Sequence, residues 1–207
     1  MQVPQNWQEF IDSTHDAQRL DYVWRYSTIP IAVPENVSTH SYWVATYSAI
    51  IHCMHDCNDT KTLAACVLTA LVHDLTESMV GDFVRVFKYK TKALKSAIDE
   101  AESLMKKEFG PSFEALFQLT DDLCNEKKSY VNAVVKAADF MSLHNFMIRE
   151  LKRGNREIMP FFKRMIDDLD MMTKENENVV FKTNDADFEP AKFYRKLSVN
   201  ANKTLHI

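Results

Sequence analysis

Glycine is nearly absent from this 207-residue chain: Gly81, Gly110 and Gly154 are the only three. A Walker A loop or a dinucleotide fingerprint needs clustered glycines so that backbone can approach a phosphate. Neither can be built here, so any phosphate chemistry must rest on metal ions and side-chain cations. Cysteine is also sparse. Cys53, Cys57, Cys66 and Cys124 form no C-x-x-C pair. No second ligand pair at zinc-site spacing answers Cys53 and Cys57 beside His52 and His55, which argues against a zinc knuckle. A surplus of positive charge is missing too. The net charge of −4 speaks against a nucleic-acid groove binder, since such domains are usually basic. No signal peptide and no 18-residue apolar run stands out, which predicts a cytoplasmic chain with reduced thiols and no membrane partner. Internal repeats and strand-like alternation are lacking as well.

What remains is helical almost throughout, and the pattern predicts an all-α, single-domain bundle. A chain of this size with 46% hydrophobic residues can bury one sizeable core. A first helix is expected from about Asn6 to Tyr22. Pro30 and Pro34 then enforce an extended link, and Asn36 or Ser38 can cap a second helix that continues to about Met54. A third runs from about Asp59 to Asp74, followed by an irregular stretch around Gly81-Asp82. A charged helix covers about Lys90 to Glu108 and is stopped by Gly110-Pro111. A short helix ends near Cys124, a long one spans about Glu126 to Arg153, and the last strong one covers about Glu157 to Lys174. Residues 1–175 are expected to form the domain. Residues 176–207, polar with a few aromatics, read as a tail of weak local structure, surface-packed or used as an oligomer arm.

The dipeptide His-Asp occurs three times, at 15–16, 55–56 and 73–74. Only His73-Asp74 ends an apolar helical run, where charged and metal-loving side chains are rare unless they are paired or hold a metal. His15-Asp16 sits among Asp12, Ser13, Thr14, Gln18 and Arg19, a solvated face. His55-Asp56 lies in a polar loop beside Asn58 and Asp59. His52 and His144 read as packing residues, and His206 as tail.

Helical phase brings two more candidates to the doublet. Stepping back four from Val44 in the stripe Val44, Tyr47, Ile51, Met54 gives His40 on the core-facing side. In the long helix, Asp139 shares a face with Val131, Val135, Ser142 and Phe146. An unpaired buried carboxylate costs several kcal/mol, so two such Asp and two such His on three helices share a natural solution. Two imidazoles and two carboxylates form a mixed N/O site for a divalent transition metal, with positions left open for water.

With His40, His73-Asp74 and Asp139 in order, the chain resembles the HD-domain phosphohydrolases, whose signature is H…HD…D. It is most similar to the bacterial 5'-deoxynucleotidases of that superfamily. Arg25-Tyr26 and Glu35-Asn36-Val37-Ser38-Thr39-His40-Ser41 resemble that family's Arg-Trp and E-N-V-S-E-H-S. His73-Asp74-Leu75-Thr76-Glu77, Gly81-Asp82 and Lys88-Tyr89 resemble its H-D-A-S-E, G-D and V-K-Y. Lys136-Ala137-Ala138-Asp139 resembles its K-Q-A-D. Motif order and spacing agree from about residue 6 to 170.

The resemblance implies an HD-domain helical bundle with one divalent ion (Co, Mn, Zn or Mg) on His40, His73, Asp74 and Asp139. It implies catalysis by Glu77 and Asp82, with Asp74 both ligand and orienter of the attacking water, and Arg25, Lys88 and Lys136 facing the substrate. Glu77, one turn past His73, is the first choice for the acid that protonates the leaving oxygen, and Asp82 the second. Two positions depart from the family. Its Trp after the Arg, which shapes the sugar pocket against a 2'-hydroxyl, is Tyr26 here, with Trp24 one residue before the Arg. Its P-T-P after G-D-L is Val84-Arg85-Val86, and Arg85 adds a cation near the phosphate end. The expected activity is release of phosphate from deoxynucleoside 5'-monophosphates. The alternatives are a deoxynucleoside triphosphohydrolase releasing tripolyphosphate, with a second Mg on the phosphates, and a non-catalytic helical adaptor stabilised by its metal. A hydrolase of ppGpp or cyclic nucleotides fits the segment from Arg25 to His40 less well. The aromatics Phe181, Phe188, Phe193 and Tyr194 point to a homo-oligomer, a dimer or larger.

Overall fold

Three short polar side chains decide where three helices begin. Asn36 accepts the Thr39 N–H and starts α2, Val37–Cys53. Asp59 accepts the Thr62 N–H and starts α3, Thr60–Val72. Thr91 accepts the Leu94 N–H and starts α5, Lys92–Glu108. Such caps satisfy amides that the first turn leaves without partners. The computed structural model describes residues 7–82 and 91–205. Within them α1 is Trp7–Gln18, α4 is Glu77–Val80, α6 is Pro111–Cys124, α7 is Lys128–Lys152, α8 is Met159–Glu175 and α9 is Pro190–Thr204. Short 3₁₀ turns lie at Arg19–Tyr22 and Asn125–Lys127. Among the described residues, β pairing is confined to two isolated bridges, Trp24 with Asn36 and Phe181 with Phe188.

The core sits where α2, α3 and α7 meet. Val44 and Ile51 of α2, Ala65, Cys66 and Ala70 of α3, and Val131, Val134 and Ala138 of α7 are buried together there. Small residues on α3 let the helices approach closely, and the density of such cores makes each methylene felt. A smaller cluster of Leu20, Val37, Leu75 and Phe109 seats α1 and α6 against the turn after α3. Gly154 ends α7 at φ +87 and donates to the Leu151 carbonyl. This left-handed closure favours a residue without Cβ.

Two expectations need correction. The stretch after Glu175 does not have weak local structure. The segment around Thr183–Ala186 bonds the His55 carbonyl and the Asp56 carboxylate, and α9 then lies along α8 and α7. Phe188, Tyr194, Leu197 and Ala201 join the main core, and Phe181 stacks on Phe188. The aromatics that pointed to an oligomer arm therefore serve the chain's own interior. Polar composition hid this, because a helix buried along one stripe keeps three polar faces. Second, an 18-residue window within Thr60–Val80 reaches a mean hydropathy of 1.4, despite the expectation of no 18-residue apolar run. It is broken between Val72 and Glu77, and the break carries His73 and Asp74.

A further anchor was not foreseen. Glu150, wholly buried near the end of α7, accepts the backbone N–H groups of Ala32 and Val33, and pairs with Asn155 and Arg153. It ties down the link of Pro30 and Pro34. Burial disfavours its charge, but these donors outweigh that and hold its carboxyl below the usual value of 4.5. A carboxyl whose pKa is lowered by folding contributes stability above its unfolded pKa, and the contribution fades as pH falls through the folded value. Glu150→Ala is expected to cost about 2–4 kcal/mol at pH 7. Urea unfolding at pH 7 and pH 3 checks this, with the gap between variant and parent narrowing in acid.

Candidate metal centre

His40 comes from the second turn of α2, His73 and Asp74 from the turn that follows α3, and Asp139 from the middle of α7. The helix α3 ends at Val72 with His73 as its cap, still in helical conformation, and the doublet reaches from there toward α2 and α7. One ligand atom each from His40, His73 and Asp74 lies within 4.8 Å of the others. His40 Nε2 is 3.6 Å from Asp74 Oδ2 and 3.4 Å from Asp139 Oδ1. His73 Nε2 is 3.0 Å from Asp74 Oδ2. Three residues of the predicted set thus cluster closely, and the fourth, Asp139, adjoins them through His40.

The two imidazoles are presented in the same way. His73 Nδ1 lies 2.5 Å from the Ala70 carbonyl. A carbonyl can only accept, so Nδ1 carries the proton and Nε2 of the neutral ring holds a lone pair. His40 Nδ1 is 3.0 Å from Ser142 Oγ. Both Nε2 atoms are buried without a hydrogen-bond partner. Donor atoms that approach closely without hydrogen-bond alignment are arranged around a common point, and a ring oriented through Nδ1 with Nε2 open is the usual presentation of a metal-binding histidine. The residues fit a divalent transition ion.

The electrostatics agree. Burial pushes the His40 pKa down to about 4, with the Arg25 charge adding to it, so this ring is neutral and ligand-ready at pH 7. Burial alone would lower that of His73 as well, but the Asp74 carboxylate outweighs it and raises it. A field that favours a proton on His73 favours a cation beside it. Burial disfavours the Asp74 charge, yet His73 and His40 bring its pKa down to about 2. Asp139 is likewise held well below its usual range against burial, chiefly by Lys136.

Around these four residues the structure places Arg25, Tyr26 and Lys136, three of the five predicted substrate residues. Lys136 Nζ holds Asp139 Oδ2 at 2.8 Å, which leaves Oδ1 toward His40. The Arg25 guanidinium lies 4.8 Å from the centre of the Tyr26 ring, and that ring stacks on Phe146 at 4.4 Å. Tyr26 has φ +61, a left-handed conformation uncommon outside glycine. Its N–H donates to Asp82 Oδ2 at 3.3 Å, and its hydroxyl is buried without a partner. Burial raises the Asp82 carboxyl, while Arg25 opposes the rise. Glu77 opens α4, its N–H bonded to the Asp74 carbonyl at 3.0 Å. Lys88 and Arg85 lie outside the described residues.

Sequence reasoning placed Ser142 only as a face-mate of Asp139. A serine on an apolar stripe, one turn from a candidate ligand, was the available signal for its bond to His40. Ser142→Ala is expected to weaken metal affinity by roughly 10–100-fold, with turnover near the parent value at saturating metal. Calorimetric metal titration checks it.

His52, read as a packing residue, is buried and bonds the Tyr130 hydroxyl and the Asp59 carbonyl. Among the described residues, the group around His40 is the one His/Cys/Asp/Glu cluster with ligand atoms close enough to share an ion.

Comparison with known proteins agrees with this geometry. The family model described as 5'-deoxynucleotidase YfbR-like matches residues 14–186. No curated protein matches the sequence. Among solved structures, an HD-domain phosphohydrolase from Listeria innocua has a TM-score of 0.68 at 19% identity, covering 96% of this chain and 90% of that one. The cyanophage S-2L HD phosphohydrolase DatZ, bound to dA and one catalytic Zn²⁺ ion, has a TM-score of 0.59 at 17% identity, with coverages of 93% and 96%. A protein from Pyrococcus horikoshii has a TM-score of 0.62 at 18% identity, with coverages of 94% and 99%. At such identities these structures show a common fold.

Proposed function

Because the chain belongs to the 5'-deoxynucleotidase YfbR-like family, we propose that it hydrolyses deoxynucleoside 5'-monophosphates to deoxynucleoside and phosphate, using an ion held by His40, His73, Asp74 and Asp139. The observation that carries this reading is the pair of buried, partnerless Nε2 atoms beside two carboxylates. DatZ binds dA and a catalytic Zn²⁺, which supports a deoxynucleoside ligand and puts Zn first among Zn, Co, Mn and Mg.

When bound, the ion supplies a Lewis acid for a phosphoryl oxygen and lowers the pKa of water from about 15.7 toward about 7. The chain's own residues do the rest. Asp74 accepts from the attacking water and orients it. Lys136, anchored on Asp139, and Arg25, braced on Tyr26, hold the oxygens that are not transferred. The water oxygen bonds to phosphorus as the bond to O5' breaks, one water proton passing to solvent, from which Glu77 is later reprotonated, and the other staying on the released phosphate. The departing O5' takes its proton from Glu77, with Asp82 as second choice. The family resemblance adds Lys88 on the phosphate side, and Arg85, where the chain departs from the family, adds a further cation there. Tyr26, stacked between Arg25 and Phe146, forms a wall against the sugar.

One assay panel tests this. Deoxynucleoside monophosphates, ribonucleoside monophosphates and deoxynucleoside triphosphates are offered with each of the four metals, and the released phosphate species is identified. Orthophosphate from the first class is expected. Tripolyphosphate from the third would transfer the activity to the triphosphohydrolase reading, and no release with any metal would return the chain to the adaptor reading.

A further inference from the structure

Glu35 is a nearly buried carboxylate shared by two arginines. Its Oε1 lies 3.3 Å from Arg25 and its Oε2 lies 2.9 Å from Arg149, while its side chain is 5% exposed. The Arg25 N–H also donates to the Glu35 carbonyl at 3.0 Å, so Arg25 is tethered to this residue twice. Yet the side-chain tether is single. A carboxylate facing one guanidinium prefers the two-bond fork, which satisfies both oxygens and spends one edge of the arginine. Here the second oxygen is already taken. Arg149 approaches from α7, with its side chain 46% exposed, ten residues beyond Asp139.

The charges follow the same logic. One carboxylate stands between two guanidinium groups, each on its own oxygen. With Glu35 drawn on its far side by Arg149, Arg25 is left to face Asp139 and Asp74 as well. Without Arg149, the buried carboxylate faces a single cation, and closing the fork on Arg25 becomes its best solution.

We propose that Arg149 is a positioning residue: by occupying the second oxygen of Glu35 it keeps Arg25 singly tethered, with one guanidinium edge free to grip a phosphate. This rests on the reading of Arg25 as a phosphate-holding residue. Arg149 itself touches no substrate and acts only through Glu35.

The test uses metal-loaded full-length enzyme, calorimetry with inorganic phosphate, and steady-state kinetics with a deoxynucleoside monophosphate. Arg149→Gln is expected to weaken phosphate binding and raise KM by roughly 5–20-fold, the loss of about one charge-assisted contact, with kcat within about twofold. Arg149→Lys, which can still occupy Oε2, is expected to restore most of that. In a Glu35→Gln background, adding Arg149→Gln should change neither quantity by more than about twofold, because the residue it acts through is gone. An equal effect in both backgrounds, or no effect of Arg149→Gln alone, overturns the proposal. Arg25→Gln separates the two levels. If it leaves phosphate affinity unchanged, the reading of Arg25 fails. If it weakens phosphate while Arg149 and Glu35 act additively, only the role of Arg149 fails.

Discussion

Asp74→Asn is expected to bind less than one ion per chain at micromolar metal and to lose turnover by roughly four orders of magnitude or more. The substitution keeps shape and volume and removes one charge. That charge lies 3.0 Å from His73 Nε2 and 3.6 Å from His40 Nε2, and it raises the pKa of His73. An amide offers a weaker oxygen ligand and sends an N–H₂ donor toward atoms arranged to donate lone pairs. Loss of the ion removes both the activated water and several kcal/mol of charge stabilisation, at about 1.36 kcal/mol per factor of ten. Elemental analysis of the purified variant, with circular dichroism to confirm the fold, decides the matter. A fully loaded and active Asp74→Asn enzyme would mean that the ligand set is wrong.

Glu77→Ala should separate from that behaviour. It is expected to keep its ion and to lose roughly 10²–10⁴ in kcat toward a deoxynucleotide, the usual worth of a positioned acid. Glu77 begins α4 directly after the turn of His73 and Asp74, with its amide bonded to the Asp74 carbonyl, so its backbone is fixed relative to that doublet. The leaving O5' is an alkoxide and needs a proton, whereas a nitrophenolate leaves without one. The same variant should therefore retain most of its activity toward p-nitrophenyl phosphate. Equal loss on both substrates would assign Glu77 to water activation or structure, and would move the acid role to Asp82.

Phase arithmetic on α2 and α7 brought His40 and Asp139 together, because a residue on the inward stripe of a long regular helix must face the core. Phase served the doublet less well. His73 caps α3 in helical conformation, so phase still reaches it, but Asp74 lies in the turn beyond, where the period gives out. Their gathering with His40 depends on how Leu75 packs with Leu20 and Phe109. Tyr26 was found only by resemblance. Its positive φ depends on Asp82 and Phe146, which are 56 and 120 residues away, and nothing local announces it. Glu35 was visible as part of a motif without a role. Its partner Arg149 carried no signal at all, since the pairing exists only once the link through Pro30 and Pro34 folds over α7. The C-terminal segment was misjudged because composition reports average polarity, while α9 buries one stripe of side chains.

Asp139, Ser142, Phe146 and Arg149 fall on successive turns of α7 and meet, in order, the His40 Nε2, the His40 Nδ1, the Tyr26 ring and the Glu35 carboxylate. They span ten residues, about 15 Å of helix. The helix thus works as a keyed shaft. Single substitutions along it can be graded, each disturbing its own partner, but a one-residue insertion or deletion between Asp139 and Arg149 turns everything beyond it by about 100°. Divergence of this enzyme should therefore proceed by exchange of side chains on α7 and hardly ever by a change in its length.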